Sequence, residues 1–130
     1  MSSVFSKIIA GDIPCYKVAE NEDFFAFLDI SPLKKGHVLV VPKTEVDYIF
    51  DLDNTLYLGL MEFAKMIAVA IQKGTNCNRV GVAVIGLEVP HAHVHLIPIN
   101  TENDMNFSNA KLKLSNEEFS EIAKIISSYL

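Results

Sequence analysis

Three of the chain's four histidines, His91, His93 and His95, stand at strictly alternate positions in His91-Ala92-His93-Val94-His95-Leu96-Ile97. Alternation of this kind predicts a strand, whose successive side chains point to opposite faces. One face then carries imidazoles, and the other carries Ala92, Val94 and Leu96, which can be buried. Imidazole is the side chain with an ordinary pKa nearest neutrality, so a row of them suits proton transfer, nucleophilic attack or metal binding. Zinc enzymes do use three histidines. At a strand rise of about 3.3 Å per residue, the Cα atoms of His91 and His95 stand roughly 13 Å apart. Neighbouring members of the row could share an ion, but convergence of all three would need unusual side-chain angles. A structural polar stripe serves no folding need. The pattern therefore points first to covalent or acid–base chemistry.

The elements that must position this row follow from the patterning. Phe5, Ile8 and Ile9 lie at helical spacing in a short stretch that Gly11 and Pro14 end. Cys15 to Ala19 and Asp23 to Leu28 read as strands joined by a turn at Glu20-Asn21-Glu22. Gly36-His37-Val38-Leu39-Val40-Val41 is a β-branched run closed by Pro42, with His37 its one polar interior side chain. From the N-cap Asp53 to a left-handed cap at Gly74, Leu56, Leu60, Phe63, Ile67 and Ile71 form an apolar stripe on a helix of about 20 residues. Leu58, Met61, Met66 and Val69 fall off that stripe, so this helix needs a second partner beyond the sheet, and a second copy of the chain is the economical one. Arg79 to Gly86 is a strand with small residues at Gly81 and Ala83, and Gly86 to Pro90 is the loop that delivers the histidines. After a polar loop, Asn100 to Asn109, the capping box Ser115-Asn116-Glu117-Glu118 opens a last, structural helix.

Composition bounds the rest. At 130 residues and half hydrophobic, the chain is one domain, 1–130, able to bury a single core. A net charge of −5 argues against binding a nucleic acid polymer, while Lys34, Lys35 and Lys43 could still make a local positive rim for a small anion. Cys15 and Cys77 form no C-x-x-C pattern, which suits reduced thiols in a cytoplasmic protein. No signal-like segment opens the sequence, and no membrane partner is expected.

The run His91-x-His93-x-His95-Leu96-Ile97 resembles the motif of the histidine triad (HIT) nucleotide hydrolases and transferases. Phe5 to Pro14 resembles that family's opening segment. Phe25 to Pro32 resembles its nucleoside-receiving strand and turn, and Gly36 to Lys43 the next strand with its supporting histidine. The resemblance covers about residues 4–99. It implies an α+β fold, a five-stranded antiparallel sheet with a long central helix and a C-terminal helix, paired as a homodimer. It also implies attack by His93 on the α-phosphorus of a purine nucleotide, giving a nucleotidyl-histidine that water hydrolyses. His91, His95 and His37 would orient His93, polarise the phosphate oxygens and help protonate the leaving group. Asp29 would accept from the ribose hydroxyls, and Phe5, Ile8, Phe27 and Ile30 would wall the base. No cofactor is implied. The substrate expected is a nucleoside 5′-phosphoramidate or related adenylate. A dinucleoside polyphosphate is the alternative, as is a nucleotide-binding interaction module with little catalysis.

Two departures from the family pattern carry information. Gly86-Leu87-Glu88-Val89 stands where a Gly-Gln-Ser/Thr-Val run is common, placing the Glu88 carboxylate where a hydroxyl would meet the phosphate or leaving group. A carboxylate there favours an amine-bearing leaving group or weakens catalysis. Ser3, Ser6 and Glu45 stand at positions where many bacterial relatives carry two cysteines and a histidine that hold a structural zinc. Their joint replacement predicts a metal-free site.

Overall fold

The computed structural model describes residues 2–130. Its frame is one antiparallel sheet in the order β1-β2-β3-β5-β4, from β1 (Lys17–Glu20), β2 (Phe24–Leu28), β3 (Val38–Pro42), β4 (Arg79–Ala83) and β5 (Val94–Ile99). The helices are α1 (Val4–Ile9), α2 (Asn54–Thr75) and α3 (Asn116–Ser127). This is the expected α+β architecture, with the long helix between the third and fourth strands.

The sheet sorts its side chains by parity. Phe24, Ala26, Leu28, Val38, Val40, Val94 and Leu96 face α2 and α3, meeting Leu60, Phe63, Ile67, Ile71 and Ile126 in the main core. The intervening residues Phe25, Phe27, Leu39 and Val41 form a smaller cluster on the opposite face, capped by Phe5 of α1. Register continues this second face across the sheet, for Phe27 lies opposite Leu39, and Leu39 opposite His95. Strands β2 and β3 are buried on both faces, which explains their near-continuous apolar character. Although α2 has the length and mean hydropathy of a membrane-crossing helix, it lies along the sheet with a buried face, as a core helix does.

Several boundaries differ from the sequence expectation. Helix α2 runs one residue past Gly74, and its left-handed cap is Asn76 at φ 55°. Gly74 instead packs close to Ile125 and Ile126 of α3, where a Cβ would come within 3.2 Å of Ile125. The first strand begins only at Lys17, and a register shift follows between Lys17 and Ala19. The histidine row is not one regular strand: β5 starts at Val94, leaving His91 and His93 in irregular backbone. The small face at Gly81 is used as anticipated, because Met105 packs over it where a Cβ would collide.

Gly36 sets the entry to β3 and so the placement of His37. It has φ +99°, and a Cβ would lie 2.8 Å from Thr75 Cγ2 at the end of α2. Gly36→Ala should combine backbone strain with a steric clash, lowering stability by about 2 kcal/mol. Urea denaturation of the variant beside wild type measures this, and an unchanged midpoint would contradict it.

Candidate active site

The second sheet face opens into a cleft of about 570 Å³ walled by α1, the end of β2, His37, the 85–89 loop, His93 and His95. Of the predicted site residues, Phe5, Ile8, Phe27, Asp29, Ile30, His37, Glu88, His93 and His95 all line it. His91 does not, being fully buried behind His93. The structure thus divides the triad, with two members facing the cleft and one facing the protein. The backbone is not yet in strand geometry at His91, whose ring is held by Pro42 and Ser3.

Each imidazole has its donor and acceptor assigned by its neighbours. His37 Nδ1 accepts from the Leu33 amide at 3.1 Å, so its proton sits on Nε2. That Nε2–H donates to His95 Nδ1 at 3.0 Å, which places the proton of His95 on Nε2. His93 Nδ1 lies 2.8 Å from the His91 carbonyl, which can only accept, so Nδ1 holds the proton and Nε2 carries the lone pair. His91 Nε2 donates to the Pro42 carbonyl at 2.8 Å, leaving its Nδ1 to accept from the Ser3 hydroxyl at 2.7 Å. The result is a nucleophile-competent nitrogen on His93 beside an N–H donor on His95, with ring centroids 5.0 Å apart.

Burial keeps the supporting rings neutral. His37 is pushed down to about 4 by burial, against the raising effect of Asp29 and with a further lowering from Lys111. Burial likewise lowers His95 to about 3, helped by His37 and His93, and it lowers His91. Asp29 accepts from the Ser31 amide through Oδ1 at 2.9 Å, while Oδ2 stands 3.6 Å from His37 Nε2. One carboxylate oxygen is therefore available to a diol in the cleft.

The apolar wall is uneven. Phe5 and Phe27 are buried and meet edge-on at 5.5 Å, and Phe5 also packs edge-on against His93 at 5.0 Å. They serve the small core and the cleft together. Ile30, 69% exposed, has little packing role and is free to cover a planar ligand. Glu88 is exposed on the rim. The positive rim expected from Lys34, Lys35 and Lys43 does not form, since these pair with Asp104, Glu118 and Glu20 at 3.0, 3.3 and 2.7 Å. The cation that lines the cleft is Lys111, with Phe107 nearby stacking edge-on to His95 at 5.0 Å. The loop carrying both is tied down by the Leu112 amide donating to the Pro32 carbonyl at 2.8 Å. A single aromatic inside the polar stretch 103–109 was the available signal for this wall.

Ser3, Ser6 and Glu45 do gather around His91, but as mutual hydrogen-bond partners. Glu45 accepts from the Ser3 amide and the Ser6 hydroxyl, each at 2.6 Å, which holds its carboxyl down at about 2. Neutral hydroxyls are poor zinc donors beside thiolates, and the donors of this cluster already satisfy one another. The residues do not fit a structural zinc.

The depressed histidines make stability depend on pH. Free histidine near 6.5 takes up protons that folded His37 and His95 refuse until about 4 and about 3. Folding is favoured above 6.5 and is weakened as pH falls from there toward 4, on the order of 1 kcal/mol per pH unit for each ring. Urea midpoints at pH 7.5 and 4.5 should show this loss, and equal midpoints would mean that the rings charge without unfolding.

Comparison with known proteins agrees with this geometry. The family model described as HIT domain matches residues 10–102. Adenosine 5′-monophosphoramidase hnt1 of Schizosaccharomyces pombe is 35% identical over 130 residues, covering 98% of each chain. A Hit-like protein of Bartonella henselae, crystallised with an unknown ligand, superposes with a TM-score of 0.85 at 29% identity, covering 99% of this chain and 97% of that one. A zinc-bound histidine triad family protein of Mycobacterium smegmatis gives a TM-score of 0.81 at 27% identity, with coverage of 99% and 93%. With the family model spanning most of the chain and the triad placed as described, the chain belongs to the histidine triad (HIT) family.

Proposed function

We propose that this HIT protein hydrolyses a purine nucleoside 5′-phosphoramidate or related adenylate at its α-phosphorus. The observation that carries the reading is the tautomer of His93, whose Nδ1–H is held by the His91 carbonyl so that Nε2 offers its lone pair to the cleft. In the first step Nε2 bonds to phosphorus and the P–N bond breaks, the nitrogen leaving as the amine with a proton taken from solvent water. His95 Nε2–H donates to a non-bridging oxygen and stabilises the charge gathered there. Water then attacks the nucleotidyl-His93, the P–Nε2 bond breaks, and the nucleotide is released with a proton returned to solvent and the ring restored. Asp29 Oδ2 holds the ribose hydroxyls, and Phe5, Ile8, Phe27 and Ile30 flank the base. Similarity to the fission yeast phosphoramidase supports the substrate class.

One observation favours a second reading. Lys111 brings a positive charge to the cleft, which suits the extra phosphates of a dinucleoside polyphosphate, whereas Glu88 on the rim opposes them and suits an amine. Rates on the two substrates decide between these groups.

The active form we propose is a homodimer in the cytoplasm. Strand β4 is a sheet edge, and Val82, Val84 and Ile85 on and after it are exposed, as are Leu58, Met66 and Val69 of α2. Unpaired strand edges and apolar surface of this kind are covered economically by a second copy. Both cysteines are unpaired, which suits a reducing compartment.

Wild-type protein should release AMP from adenosine 5′-phosphoramidate with chelator present, and a denaturing quench at alkaline pH, where a phosphorus–imidazole bond survives, should trap one nucleotidyl group on the protein. His93→Ala should lose both signals, with the rate falling by about 10³-fold or more. AMP binding without turnover by wild type would instead identify a binding module. Light scattering should give a mass twice the 14.4 kDa chain. Val82→Lys should give the single-chain mass at the same concentration, and a single-chain mass for wild type would remove the dimer.

A further inference from the structure

The cluster behind the triad forms one directed path of hydrogen bonds into the nucleophile. It begins at Glu45, which clamps the Ser3 amide and the Ser6 hydroxyl at 2.6 Å each. The Ser3 hydroxyl oxygen accepts from the Ser6 amide at 3.0 Å, capping α1, and its proton points to His91 Nδ1 at 2.7 Å. With Nε2 of the same ring donating to Pro42 at 2.8 Å, His91 is gripped at both nitrogens. The His91 amide donates to Val89 at 2.8 Å, and its carbonyl receives His93 Nδ1–H at 2.8 Å. Ser3 and His91 are both buried, so water does not replace a lost partner here without rearrangement.

We propose that Ser3, clamped by Glu45, is a positioning residue of the catalytic centre: with the tautomer of His91 set by the Pro42 carbonyl, the Ser3 hydroxyl holds the ring at its other nitrogen and, through the ring, steadies the carbonyl that orients His93. The buried Nδ1 lone pair is thus filled by a group that also starts a helix. Without that donor Nδ1 loses its close partner, the ring is gripped by Pro42 alone, and the backbone carbonyl at His91 is held less firmly from the side-chain end. The effect falls on the reactivity of His93 and leaves the cleft walls intact.

Substitutions at Ser3 separate this role from helix capping. Gly at position 3 remains a serviceable N-cap but has no hydroxyl, whereas Thr keeps both functions. In long-range proton–nitrogen spectra of nitrogen-15-labelled protein at pH 7.5, wild type should show His91 as a single Nε2–H tautomer and His93 as Nδ1–H. Ser3→Ala should shift the His91 Nδ1 resonance while Nε2 stays protonated, perturb the His93 signals and lower kcat on adenosine 5′-phosphoramidate about tenfold to a hundredfold with KM changed less than about twofold. Ser3→Thr should restore both readouts. Ser3→Gly should recover part of the thermal midpoint and neither of them. Unchanged imidazole signals in Ser3→Ala, or recovery of kcat in Ser3→Gly in step with the midpoint, would overturn the proposal by reducing Ser3 to a cap. The rate arm rests on the proposed activity. The spectra need no substrate, so an inactive wild type would refute that activity while the imidazole signals still decide the role of Ser3.

Discussion

A neutral imidazole has one donor and one acceptor, and in this protein nearly everything about the site depends on that limit. Four rings close together could populate many proton arrangements, most of them useless. Groups that can act in only one direction remove the choice: the Leu33 amide can only donate, and the carbonyls of Pro42 and His91 can only accept. Once those three are fixed, the protons of His37, His95, His91 and His93 are determined in turn. Burial then keeps the supporting rings from escaping the scheme by taking a second proton. Catalytic competence is thus a property of where backbone groups lie, and so of the sheet.

The sheet supplies that placement by parity. Val38, Val40, Val94 and Leu96 anchor β3 and β5 to α2, so the opposite face is left for Leu39, His95 and the residues beside them. A slip of one residue between β3 and β5 would put His95 into the main core, where an imidazole has no partner. The apolar half of the alternating pattern therefore specifies the register on which the polar half relies.

Much of this was legible in the chain itself. Period-two patterning around Val38–Val41 and Val94–Leu96, the N-cap at Asp53 and the Ser115 capping box all mark elements that local chemistry dictates. Site residues on those elements or next to them, such as Phe27, Asp29, His37 and His95, were placed with them. What the sequence hid was set by long-range contact. His91 reads as an equal member of a row, yet Ser3, eighty-eight residues away, and Pro42 turn it inward. Lys34, Lys35 and Lys43 read as a rim, and each is taken by a carboxylate from another segment. Phe107 and Lys111 sit in a stretch with no periodicity at all, and only the folded loop carries them to the cleft.

The short helix α1 has a further consequence. It is six residues long, presents Phe5 as its one buried residue, and is joined to the body through Phe5 and the Ser3 cluster. A segment of that size can detach while the sheet and α2 remain folded. Detachment would strip one wall from the cleft and release His91 in the same event. One wall of the cleft and the grip on the ring behind the nucleophile thus depend on the same short segment, so loosening its few contacts at Phe5 and Ser3 would disturb binding and chemistry together.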